Sequence, residues 1–296
     1  MRLIDSDSKQ RGVVAIDEAI NLANISGLDL VEIAPNSNPP VCKILDYGKF
    51  KYEIEKQLKS YLGNSFGLLA RDPTSLIIAY SLIAEYEWIE SIRQSDNKAD
   101  YDYSGVTLKL AKIVEREINN GLFLDWKLKY FLKKRGMNKS YLEQISQTRE
   151  PNNAESFLAG YLSSALVEPK HKPKHKKPRP WLSLNKMQKI LSVHPKSPSD
   201  SPLHKSLLDY VTTSLHDGVW LRSKEFTETL KDIAQYRNTG AHADVISRLT
   251  CSNIYGKIFV GPEPWLKKLL EALQEKKDSP GVVFPDNQLE KLIREK

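Results

Sequence analysis

Strand-like runs occur only in the first 45 residues of this chain, and every later apolar pattern repeats at helical intervals. "RGVVAI", "LDLVEI" and "VCKIL" are short and rich in β-branched residues, and "APNSNPP", whose prolines and asparagines require a loop, separates the last two. Between the first two runs, Ile16, Ala19, Ile20 and Ala23 recur at helical spacing until Gly27 supplies a stop. This pattern predicts a small α+β unit over residues 1–60, closed by the charged linker helix "KFKYEIEKQLKSYL", which ends near Gly63.

The 296 residues exceed the usual size of one domain, so a second is expected. After a linker at 61–72, Asp72-Pro73 reads as an N-cap followed by proline in the first helical turn, opening the apolar helix "TSLIIAYSLIAEYEWIESI". A polar turn, "RQSDNKADYD", leads to a helical stretch from about Tyr103 to Lys134 in which Gly121 breaks or kinks the path. Shorter helices are expected near 154–167, 183–193 and 203–216, and "SKEFTETLKDIAQYRNTGAH" reads as a helix. The second domain is therefore all-α over 73–276, with a C-terminal tail at 277–296.

One segment cannot join a helix. "EPKHKPKHKKPRP", residues 168–180, alternates proline with six Lys or Arg and carries no acid after Glu168. It reads as an exposed basic loop whose Lys174, Lys176 and Lys177 attract nucleic-acid phosphates, or as a solvated linker. The formal net charge of +7 also favours polyanionic partners such as RNA. Two cysteines, Cys42 and Cys251, are too few for a disulfide framework and point to a reducing compartment. Without an apolar run near the length needed to span a bilayer, no membrane role is expected and the protein should be cytoplasmic. There is no glycine-rich phosphate loop, zinc-ligand spacing or carboxylate pair, so no cofactor or metal is expected. His194, His204 and His216 lack partners at ligand spacing and read as surface or loop residues.

The stretch "RLID…GLDLVEIAP…PPVCKILDYGKFKYE" closely resembles the N-terminal domain of bacterial translation initiation factor three over residues 1–57. The resemblance implies a domain that docks on the small ribosomal subunit. It places Lys43, Tyr47, Lys49, Phe50, Lys51 and Tyr52 at the end facing RNA. The chemistry agrees, because lysines meet phosphates and exposed aromatics stack on unpaired bases. Alternatively, Phe50 and Tyr52 pack onto the sheet and the lysines alone face RNA. The family usually carries serine where Ala15 stands, so a helix cap is lost here. Nothing after residue 60 resembles the factor's C-terminal domain, so the chain is expected to be a docking module joined to something else.

Near the far end, "RNTGAH" resembles the R-x4-H motif of the HEPN superfamily (higher eukaryotes and prokaryotes nucleotide-binding). That resemblance implies an all-α HEPN-like domain, metal-independent RNA cleavage to a 2′,3′-cyclic phosphate, and a homodimer that brings two motifs together. By analogy with other such proteins it implies a toxin-like role in antiviral defence or growth arrest, with a phage or antitoxin partner. His242 suits proton transfer from the 2′-hydroxyl, Arg237 offers a fork to phosphate oxygens, and Asn238 can orient either. On an ideal helix Asn238 and His242 share a face, whereas Arg237 and His242 diverge by roughly 140°. Glu115 and Glu117 are candidates to buttress the motif, or to form salt bridges on an exposed face.

Two functions follow as expectations. One is a ribosome-targeted endoribonuclease cutting tRNA, mRNA or rRNA. The other is a non-catalytic ribosome- or RNA-binding adaptor whose helical domain dimerises or docks a partner. In the second case RNTGAH is a helix end with Arg237 paired to carboxylates, Gly240 as the stop and His242 capping the last carbonyls.

Overall fold

The computed structural model describes residues 1–35, 37–95, 101–128, 154–166, 181–193, 201–241 and 245–276. The chain begins with β1 (Arg2–Ile4) and β2 (Gln10–Val13), then α1 (Ile16–Ser26), β3 (Asp29–Ala34), β4 (Val41–Leu45) and the long α2 (Tyr47–Leu62). The four strands lie in the order β2-β1-β4-β3, with β1 parallel to β4 and the outer pairs antiparallel. Helix α1 starts at Ala15, whose backbone is extended but whose side chain makes no capping bond, and stops at Gly27 in the left-handed region.

Strand alternation divides this sheet into two apolar faces. Leu3 and Ile44 point to one side, where Ala19 and Ala23 of α1 cover them. Ile4, Ile33, Ala34 and Val41 point to the other, where Phe50 of α2 and Trp88 close over them. Trp88 comes from the second part of the chain, so the sheet is packed directly against it.

That second part opens with a 3-10 turn (Gly63–Ser65) and the short α3 (Phe66–Leu69), both within the expected linker, and continues with α4 (Pro73–Ser95) and α5 (Ser104–Ile118). Asp72 caps α4 as expected, accepting from Thr74 N at 2.9 Å and Ser75 N at 3.4 Å. The expected interruption at Gly121 is a π turn, Asn119–Leu124, continuing from α5. There follow α6 (Ala154–Leu166), α7 (Leu184–Ser192), α8 (Pro202–Ser214), a 3-10 turn (Trp220–Arg222), α9 (Lys224–Ala241), α10 (Arg248–Tyr255), a π turn (Gly256–Val260) and α11 (Trp265–Ala272). Among the described residues no strand follows β4, so a small α/β domain precedes a helical body.

One continuous core runs from Ile54, Leu58 and Leu62 of α2 through α4 and α5 to Leu269 and Leu270 of α11. The linker helix is thus part of the body's core. Between α4 and α5, Lys109 donates to Glu85 in a buried ion pair. His204 differs from the surface or loop reading. It is buried, with its ring nitrogen Nε2 bonded to the Ile190 carbonyl at 2.7 Å and its backbone N–H donating to Glu155. Glu155 also accepts from Leu203 N, so a carboxylate distant in sequence caps α8. His216 is exposed, and His194 lies outside the described residues.

Candidate nucleic-acid interface

Two regions could meet RNA, and different elements build them. The first is the start of α2. Asp46 caps this helix by accepting from Lys49 N at 2.9 Å, and Tyr47 N donates to Asp29 Oδ2 at 3.0 Å, tying the first turn to the start of β3. Ile54, Leu58 and Leu62 face the core, so the opposite stripe turns to solvent. Lys49 and Tyr52 lie on that stripe, and Tyr52 is 68% exposed.

Lys56, one turn further on, extends the same exposed stripe and was not among the expected RNA-facing residues. Its signal was available in the i, i+3, i+7 spacing of Lys49, Tyr52 and Lys56. Tyr47 and Lys51 are exposed on the first turn beside it. Lys43 reaches from β4 to Ser8, with Nζ to Oγ at 3.2 Å. Phe50 differs from its neighbours, because its ring is partly buried between the sheet and the helical body. The structure therefore brings Tyr47, Lys49, Lys51 and Tyr52 onto one open helix end and turns Phe50 inward.

The second region is the end of α9. Phe226, Leu230 and Ile233 form its inward stripe at helical spacing, and Arg237 occupies the next position on that stripe. There it meets Glu115 of α5, with Nη2 to Oε2 at 3.8 Å. Burial pushes the Glu115 carboxyl above its ordinary range, and the guanidinium opposes that shift. Asn238 is exposed on the adjacent face. Helix α9 continues through Gly240, so this glycine does not stop it. A Cβ there would lie 3.3 Å from Ser104 Cβ, so α9 and the start of α5 approach closely at this glycine. His242 lies outside the described residues, as do Lys174, Lys176 and Lys177. The structure thus brings Arg237 to Glu115 and leaves its relation to His242 undescribed. Glu117 is buried on a different face of α5, beside Asp72 and Ser75.

Among the described residues no group of three His, Cys, Asp or Glu is placed to hold a metal ion, and no helix is long and apolar enough to cross a membrane.

Comparison with known proteins bears on the first region. The profile of the family described as Translation initiation factor IF-3, N-terminal domain, matches residues 1–61. The chain is 65% identical over 57 residues to Translation initiation factor IF-3 of Xanthobacter autotrophicus, covering 19% of this chain and 33% of that factor. It is 62% identical over 56 residues to the factor of Aquifex aeolicus, covering 19% of this chain and 32% of that one. It therefore spans about a third of these relatives' length. With the factor of Campylobacter lari it is 34% identical over 180 residues, which cover 58% of this chain and 90% of that factor. The chain belongs to the translation initiation factor IF-3 family.

Similarity to an IF-3 sequence thus continues well past residue 60, where the resemblance was expected to end. The N-terminal domain that the family profile matches, residues 1–61, carries the exposed end of α2. No solved structure matches the chain.

Proposed function

We propose that this IF-3 family protein is a ribosome-binding adaptor. Its N-terminal domain contacts RNA of the small ribosomal subunit through Tyr47, Lys49, Lys51, Tyr52 and Lys56, and its helical body docks a partner or a second copy. The carrying observation is the open basic and aromatic end of α2 in a domain that matches the family profile over residues 1–61. Lysines on that end neutralise phosphates while Tyr47 and Tyr52 can stack on unpaired bases. The buried Ile54, Leu58 and Leu62 fix α2 in the body, so a head bound to RNA carries the helical domain with it.

Competition tests this reading. The full chain should displace labelled IF-3 from small ribosomal subunits, with an affinity that falls steeply as salt rises because several phosphates are contacted. Failure to displace the factor at any salt concentration would rule the adaptor out.

A second reading, a HEPN-type endoribonuclease with Arg237, Asn238 and His242 as the acting residues in a homodimer, is favoured by one observation. Arg237 is 39% exposed at its side chain and paired at 3.8 Å with a partly buried carboxylate, an arrangement that orients a guanidinium at the surface. Glu115 would then be a positioning residue. Purified protein incubated with total RNA and ribosomes should release fragments ending in a 2′,3′-cyclic phosphate, and His242→Ala should abolish them. Intact RNA, or cleavage that survives His242→Ala, removes this reading.

A further inference from the structure

The first turn of α2 carries Tyr47, Lys49 and Lys51, and the helix itself does little to hold that turn in place. Its leading backbone N–H groups have no acceptor within the helix, because the first such bond runs from Phe50 N to the Asp46 carbonyl at 3.0 Å. Gly48 lies in the same turn and weakens the helical preference there. Phe50 packs against the sheet, but only at the end of this turn. Bonds from outside the helix therefore decide where Tyr47 and its neighbours sit.

Two carboxylates supply such bonds, and they fix different things. Asp46 accepts from Lys49 N at 2.9 Å, but as the N-cap it belongs to the helix end and moves with it. Asp29 belongs to the sheet. Gly27, at φ 62°, ends α1 and turns the chain into β3, whose first residue, Asp29, pairs across the ladder with Leu45, the last residue of β4. Asp46 alone separates Leu45 from α2, so the Asp29 side chain reaches past that junction and accepts from Tyr47 N at Oδ2, at 3.0 Å. This bond ties the helix start to the sheet rather than to itself.

We propose that Asp29 is a positioning residue for RNA binding: its carboxylate oxygen holds the first turn of α2 against the sheet, so that Tyr47, Lys49 and Lys51 meet RNA already in place. The inference rests on the adaptor reading of this helix end. A turn ordered beforehand spares the cost of ordering it on binding. The sign of the effect separates positioning from charge. An exposed carboxylate beside lysines repels phosphates, so on charge alone its removal tightens binding. Positioning gives the opposite result whenever the acceptor oxygen is lost.

Affinities of the full chain for small ribosomal subunits test the proposal. Asp29→Ala should bind about fivefold more weakly than the wild type, the scale of a lost capping bond, with unchanged circular dichroism. Asp29→Asn keeps an acceptor oxygen and loses the charge, so it should bind at least as tightly as the wild type. Ser247→Ala is the control for general destabilisation. It removes the cap of α10 in the helical body, where Ser247 Oγ accepts from Thr250 N at 3.2 Å, and it should leave affinity unchanged. A wild type that binds and an Asp29→Ala variant that binds equally well overturn the proposal alone. So does Asp29→Asn weakened as much as Asp29→Ala, or an equal loss in Ser247→Ala. A wild type that does not bind the subunits overturns the adaptor reading and the proposal with it.

Discussion

Ala15 sets a simple test of residue-level physics. Its backbone has the extended geometry of an N-cap, at φ −69° and ψ 153°, yet it has no side-chain oxygen to offer the first turn of α1. Ala15→Ser should therefore stabilise the protein by about 1 kcal/mol in urea denaturation, with an unchanged m-value. Glu117 makes the opposite point. Its carboxyl is raised to about 7 by burial, well above the ordinary glutamate range, so the folded state holds a proton that the unfolded state releases in the window between the two. Stability should fall as pH rises through that window, and Glu117→Gln should flatten the profile, recovering roughly 3 kcal/mol above pH 7. Denaturation midpoints taken from pH 4 to pH 8 would show whether the variant loses this slope. Residue-scale signals were unevenly legible. Asp72 and Gly27 announced their caps, because capping depends on neighbours in sequence. His204 did not announce its burial, since Glu155 and the Ile190 carbonyl reach it from elsewhere in the chain.

At the scale of elements, α4 and α5 enclose the Glu85–Lys109 pair, both residues nearly free of solvent contact. Removing one member strands the other charge in an apolar setting. Lys109→Met should cost about 3–5 kcal/mol, and adding Glu85→Gln should recover part of that loss in a double-mutant cycle. Helical periodicity foretold both helices but gave no hint of the pair, because neither residue signals a partner 24 positions away. The same limit explains Phe50. Its place beside Lys49 and Lys51 left an RNA-facing ring and a sheet-packed one both open, and the apolar face of the sheet and Trp88 draw it inward. Strand β1, only three residues long, was too short to stand out before its pairing with β2 and β4 was known. Arg237 shows how one helix position carries two meanings. It continues the inward stripe of α9 and pairs with Glu115, so Arg237→Ala should destabilise the α9–α5 contact by about 1 kcal/mol, measurable by thermal unfolding, whether or not the motif acts on RNA.

For the whole molecule, the decisive feature is that the sheet and the helical body share Trp88 and Phe50 while α2 runs into the body's core. Head and body are thus joined by packing as well as by a linker. Trp88→Ala should cost about 2 kcal/mol and speed proteolytic cleavage near residues 45–47, between β4 and α2, where the sheet separates from the body once that contact is lost. The boundary between an α+β head and an all-α body was readable from the end of strand-like runs near Leu45. The way they dock was not, because it depends on side chains from α2 and α4 meeting on one sheet face. This packed joint is what would make an RNA-bound head an effective carrier for the helical body. The affinity of the full chain for small ribosomal subunits, measured for the wild type, Lys49→Glu/Lys56→Glu and Arg237→Ala, tests that claim most directly. The double reversal on the exposed stripe of α2 should weaken binding by at least about tenfold while Arg237→Ala leaves it unchanged. Binding untouched by the α2 reversals, or lost only with Arg237, would contradict it.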